Sequence, residues 1–243
     1  MASTDTLLSA RGLRKNYGAL VVLDGVDFEV RRGDAIGIVG PNGAGKTTLL
    51  SVLSGSQGAS AGTIAFRGSD VLGIDAARRC RLGIARTHQV PQPFSGMTVF
   101  ENVFTAATHG GGFRRDEAYD RAIDAIELCG MNGVANRRAE TLGLLDRKRL
   151  ELTRALATSP QVLLLDEIGG GLTDGEAAEL VQTIRVLHER DIAIVWIEHI
   201  VHVLLQVAKR LVCMDAGRVI AEGDPHEVLA NATVVDAYLG AGR

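Results

Sequence analysis

Ala35-Ile36-Gly37-Ile38-Val39-Gly40-Pro41-Asn42-Gly43-Ala44-Gly45-Lys46-Thr47 decides the fold. Residues 35–39 form a continuous apolar run, the pattern of a strand buried on both faces. Three glycines and a proline then break the run, and residues 46–53 read as a helix. The order is strand, glycine loop, helix. The loop fits G-x-x-x-x-G-K-[ST] at every fixed position.

Each residue type in the loop has a physical task. The glycines let backbone N–H groups converge on phosphate oxygens with no Cβ in the way. The helix behind them offers the positive end of its dipole to the same anion. Lys46 adds a point charge for the β- and γ-phosphates, and the Thr47 hydroxyl is placed to ligate Mg2+. Thr48 is a helix residue with a minor phosphate contact. A glycine-rich turn matching by chance would lack the strand before it and the helix after it.

Outward from the loop the pattern alternates. Residues 26–30 read as a half-buried strand, turned by Arg31-Arg32-Gly33-Asp34, and residues 62–66 as another short strand. Residues 95–157 read as mostly helical. One helix over 116–129 sets Tyr119, Ala122, Ile123 and Ile126 at helical spacing, and His109-Gly110-Gly111-Gly112 before it reads as a flexible surface turn. Residues 162–165 and 192–197 are two more buried strands, with helices at 175–189 and 202–209. Strands at 210–214 and 219–221 are joined by Ala216-Gly217. Strands alternating with helices predict an α/β fold with a largely parallel sheet.

Leu163-Leu164-Leu165 ends on the carboxylates Asp166 and Glu167. Ligands of open parallel sheets bind outside the carboxyl ends of the strands. Asp166 can hold Mg2+ there, and Glu167 can polarise the water that attacks the γ-phosphate in line.

The chain has 243 residues and a formal net charge of −3, without the basic surplus of a nucleic-acid binder. Cys80, Cys129 and Cys213 lie far apart with no metal-ligand spacing, and their odd number argues against a disulfide framework. The start, Met1-Ala2-Ser3-Thr4-Asp5-Thr6, lacks the charged and apolar regions of a signal peptide. The longest apolar runs are too short to span a bilayer. If the chain works at a membrane, another chain supplies the spanning part.

Taken in order, the motifs resemble those of ABC ATPases over essentially the whole chain. Residues 40–47 and 163–167 look like the Walker A and Walker B elements. Tyr17, in Lys15-Asn16-Tyr17-Gly18, sits where that family stacks an aromatic on adenine. Gln89, in Arg86-Thr87-His88-Gln89, matches the Q-loop glutamine, a Mg2+ and water contact that also faces the transmembrane partner. His199, in Trp196-Ile197-Glu198-His199, matches the switch histidine that contacts the γ-phosphate. His88 and His202 read as structural or surface residues. No Asn-Lys-x-Asp guanine motif occurs.

The resemblance implies a P-loop NTPase (RecA-like) core with a small antiparallel β subdomain over 1–88 and 158–243, and a helical subdomain over about 89–157. It implies ATP and Mg2+ as cofactors and ATP hydrolysis as the activity. Glu167, His199, Gln89 and Lys46 would be catalytic. Tyr17, the loop residues Gly40 to Thr47 and Thr48 would hold nucleotide, and Thr47, Gln89 and Asp166 would hold the metal. Four cues look like the branched-chain amino acid import ATPases. They are Arg86-Thr87-His88-Gln89, Met97-Thr98-Val99-Phe100-Glu101-Asn102, Arg149-Leu150-Glu151-Leu152-Thr153-Arg154 and Val235-Asp236-Ala237-Tyr238-Leu239-Gly240. The implied partners are transmembrane permease subunits, a second ATPase subunit and, indirectly, a periplasmic or extracellular solute-binding protein. The implied location is the cytoplasmic face of the plasma membrane, held peripherally. A soluble ABC protein acting on DNA or ribosomes would need coiled-coil arms, a tandem ATPase pair or a basic face, and the sequence has none.

One segment departs from the family. Its signature reads Leu-Ser-Gly-Gly-Gln, and the aligned residues here are Leu142-Gly143-Leu144-Leu145-Asp146. Asp146 reads as the N-cap of the following helix, but it is a poor neighbour for a partner's γ-phosphate. A like-charge pair ~6 Å apart costs about 3 kcal/mol at an effective dielectric of 20. In this family each signature completes the other subunit's site, so the departure predicts pairing with a different ATPase subunit, with a homodimer as the alternative. It also keeps open a low-turnover regulatory subunit. Thr173 stands at the family's D-loop position, behind Gly169-Gly170-Gly171, where a simple flexible turn is the other reading.

Overall fold

The computed structural model describes residues 5–240. Met1-Ala2-Ser3-Thr4, part of the stretch read as lacking a signal peptide, lies outside them. The chain opens with two long strands, β1 (Thr6–Tyr17) and β2 (Leu20–Arg31). They are followed by β3 (Ala35–Val39), α1 (Lys46–Leu53), β4 (Ala61–Phe66) and β5 (Ser69–Asp70). Strands β1, β2, β4 and β5 form a four-stranded antiparallel sheet in the order β2-β1-β4-β5. The strand expected at 26–30 is the C-terminal part of β2, and β1 has no counterpart among the expected strands because its register shifts break its alternation.

Next come α2 (Ala76–Leu82), β6 (Ile84–Arg86), α3 (Val99–Thr105), α4 (Arg115–Leu128) and α5 (Leu144–Leu156). The remaining elements are β7 (Val162–Asp166), α6 (Asp174–His188), β8 (Ala193–Ile197), α7 (Val201–Leu204), β9 (Arg210–Asp215), β10 (Arg218–Gly223), α8 (Pro225–Ala230) and α9 (Ala232–Gly240). The second sheet runs β10-β9-β3-β8-β7-β6 and is parallel except for the edge strand β10. Ala216 and Gly217 both have positive φ, as the tight β9–β10 hairpin requires.

The apolar runs are explained by what lies on each side of this sheet. In β3, Ile36 and Ile38 face α1 and the antiparallel sheet, while Ala35 and Val39 face the helical layer. In β7 the same split puts Leu164 on one side and Leu163 and Leu165 on the other. Both faces are dry, so no polar residue alternates.

Four local expectations are corrected. The His109 segment is a π-helix, Ala106–Gly111, and not a loop; a Cβ on Gly110 would lie 3.0 Å from Thr158 Cγ2, so the glycine serves close packing. On α4 the buried face is Ala118, Ala122, Ala125 and Ile126, while Tyr119 and Ile123 are exposed. Helix α7 stops at Leu204, because the bonds from Gln206 to Val203 and Val207 to Leu204 tighten the chain before Lys209 N joins Ala35 O. The N-cap of α5 is Gly143, and Asp146 lies in its first turn, 3.8 Å from Arg149. Thr173 caps α6 in a reciprocal capping box with Glu176.

Candidate nucleotide site

Strand register gathers the site. Ile38 lies beside Ile197, and Ile197 beside Asp166, so β3, β7 and β8 all end at one edge. That edge carries Gly40, Asp166, Glu167 and His199. Strand β6 delivers Arg86 alongside Leu164, three residues before Gln89.

The loop after β3 is held from below. Gly45 has φ 98°, and a Cβ there would lie 2.7 Å from Val22 O. A side chain would therefore meet both strain and backbone. Lys46 is buried and donates through Nζ to Gly40 O at 2.7 Å and Pro41 O at 2.9 Å. Burial pulls its pKa below the usual lysine range, and the charge of Glu167 pulls back hardest. An arriving polyphosphate acts the other way, because an anion favours the charged state. Asn42, Gly43, Ala44, Gly45, Lys46, Thr47 and Thr48 line a cleft of about 190 Å3 with Val22 and Glu167.

Asp166 is 1% exposed. Its Oδ1 accepts from the Thr47 hydroxyl at 3.2 Å, and its Oδ2 pairs with Arg86 at 2.8 Å. The other arm of Arg86 donates to Ser51 Oγ, which donates to Thr47 O. A buried charge of this kind needs both a counter-charge and hydrogen bonds. Beside it, Glu167 Oε2 accepts from Gln89 Nε2, and Glu167 Oε1 lies 2.8 Å from His199 Nε2.

Of the residues singled out in the sequence, the structure brings together Gly40 to Thr48, Asp166, Glu167, Gln89 and His199. Tyr17 stands apart on the antiparallel sheet, 44% exposed; its hydroxyl reaches Gln57 and its ring carries Lys15 Nζ at 4.9 Å. Sequence reasoning missed Arg86 as a site residue, although Arg86 stands in the subfamily cue Arg86-Thr87-His88-Gln89. It also missed Tyr238 on α9, whose hydroxyl accepts from Gly40 N at 2.8 Å across 198 residues. No local sequence signal announces that contact.

A glycine loop at the tip of a central strand, with a buried carboxylate beside its threonine, defines a P-loop nucleotide hydrolase. The profile of the ABC transporter family matches residues 23–169, and that of the branched-chain amino acid ATP-binding cassette transporter matches residues 218–243. LivG of Salmonella typhimurium, a high-affinity branched-chain amino acid transport ATP-binding protein, is 34% identical, over 96% of this chain and 98% of its own. BraF of Pseudomonas aeruginosa, of the same description, is 31% identical with the same coverage. The ADP conformation of MJ1267, an ATP-binding cassette of an ABC transporter, superposes with a TM-score of 0.87 at 30% identity, covering 97% of this chain and 99% of that one.

The chain belongs to the ABC transporter family, as an ATP-binding subunit whose activity is ATP hydrolysis. No helix among the described residues is long and apolar enough to cross a membrane.

Proposed function

We propose that the chain hydrolyses MgATP to drive import of branched-chain amino acids or a similar small amphipathic solute. The observation that carries the chemistry is the seating of Glu167 between Gln89 and His199, one residue beyond the Asp166–Thr47 contact. Lys46 and the loop amides hold the β- and γ-phosphates. Asp166 and Thr47 offer hard oxygens of the kind Mg2+ takes, with Gln89 as a third contact. The metal would draw charge from the phosphate oxygens. Glu167 orients and polarises the attacking water, while His199 donates toward the γ-phosphate. Tyr17 gives its ring to adenine.

The solute reading is supported by the printed roles of LivG and BraF and by the second profile match. The partners proposed are transmembrane permease subunits, a second ATPase subunit and, indirectly, a solute-binding protein, with this chain peripheral on the cytoplasmic face. Residues 89–157 act as the helical subdomain against the rest of the cassette. Gln89 links the site to exposed Val90, Phe94 and Met97, which face the permease.

A second reading, a regulatory subunit with little turnover, is favoured by the start of α5. Leu144 there is 44% exposed, and it stands at the first glycine of the family's signature, with Gly143 at its serine. The two readings part on one variant. Glu167→Gln abolishes ATP turnover of the assembled transporter if this chain is catalytic, whereas undiminished turnover leaves only the regulatory role.

A further inference from the structure

Glu167 has φ 48°, a left-handed backbone that residues with side chains seldom adopt. Such a conformation persists where its surroundings over-determine it. Here Glu167 N donates to Ile197 O at 2.9 Å, and Glu167 O accepts from Gly170 N at 3.3 Å. The same carbonyl lies 3.5 Å from Lys148 Nζ, which comes from α5 and is itself buried.

Next to this backbone lies a carboxylate that the ATP site does not use. Glu198 follows β8 and is 3% exposed, with Oε1 buried and unpartnered. The nearby N–H groups of Gly169 and His199 favour its charged form. Gly169 is shaped by it, since a Cβ there would lie 2.1 Å from Glu198 Oε1. The φ of Gly169 is not positive, so its backbone would accept an alanine. Only the carboxylate excludes one.

We propose that Glu198, seated in the space left by Gly169, and Lys148 are positioning residues that hold Glu167 in its left-handed conformation. Lys148 lies against the carbonyl of Glu167, and Glu198 packs against Gly169, two residues on. Between them they pin the peptides on both sides of Ile168. The carboxylate of Glu167 is thereby kept between Gln89 and His199. This inference rests on the reading of Glu167 as the group that polarises water.

The test is a mutant cycle in the full chain within its membrane complex, reading kcat and KM for ATP. Glu198→Ala lowers kcat about tenfold and leaves KM within about twofold, as expected of a misplaced catalytic group. Glu198→Gln keeps an acceptor for the two N–H groups and restores most of kcat. Gly169→Ala lowers kcat like Glu198→Ala, because its methyl meets the carboxylate. Gly169→Ala/Glu198→Ala is no worse than either single change, since the second removes what the first strikes; independent sites would multiply to about a hundredfold. Multiplicative losses, or an unchanged kcat in Glu198→Ala, overturn the inference. Should the Glu198 variants not fold, Lys148→Met carries the test: kcat falls with ATP affinity unchanged, and an unchanged kcat overturns it. Full turnover in Glu167→Gln would instead sink the reading of Glu167 itself.

Discussion

Burial pushes the Glu198 carboxyl up from 4.5 to about 7, and the charge of Glu167 adds to the shift. Lys148 and the two backbone N–H groups pull the other way. Between those two values the unfolded chain releases a proton that the folded chain keeps. Stability therefore falls as pH rises through that window and levels off above it. The shift corresponds to about 3 kcal/mol. Urea unfolding of Glu198→Gln and the unaltered chain should show curves that separate from pH 5 to pH 8, the variant losing less; parallel curves would refute the shift. The phosphate loop was legible because its residues are neighbours with fixed spacing. The Arg86–Asp166 pair and the Tyr238–Gly40 bond join residues 80 and 198 apart, and a sequence does not display which strand ends meet. Glu198 was invisible for another reason: a lone glutamate before His199 carries no sign that its side chain turns inward.

Helix α1 shows how an element is finished by a distant side chain. Its last turn leaves carbonyls without helical partners. The buried Arg79 collects Val52 O and Leu53 O at 2.8 Å each, and also Ile74 O and Leu72 O. Arg79→Leu keeps the bulk but removes the guanidinium donors from these carbonyls, of which Val52 O keeps the Gly55 N–H at 3.2 Å, and should destabilise the protein by about 3 kcal/mol in chemical denaturation. A loss below 1 kcal/mol would mean that water reaches them. Long apolar or strongly periodic elements such as β3, β7 and α6 were read nearly to the residue. The π-helix was misread because three adjacent glycines announce a turn, and nothing local reveals that Gly110 is pressed against Thr158. Strand β1 was missed for its shifted register, and α7 was over-extended because its apolar residues continue past the point where the backbone tightens.

At the scale of the molecule, two apolar cores meet across one sheet, and the nucleotide cleft opens at the edge where they join. Ligand that binds only the folded form stabilises it: ATP at about a hundred times its dissociation constant adds about 2.7 kcal/mol, or roughly 5–10 °C in Tm at this size. Lys46→Ala should abolish that rise while leaving the nucleotide-free Tm within about 2 °C. An equal rise in the variant would place nucleotide elsewhere.

The central position of β3 has a consequence for synthesis. Its neighbours on either side, β8 and β9, are made from residues beyond 192. A ribosome adding about 5–20 residues per second leaves that strand unpaired for roughly 10–30 s. Over that interval an apolar strand of the nascent polypeptide is open to chaperones and to aggregation.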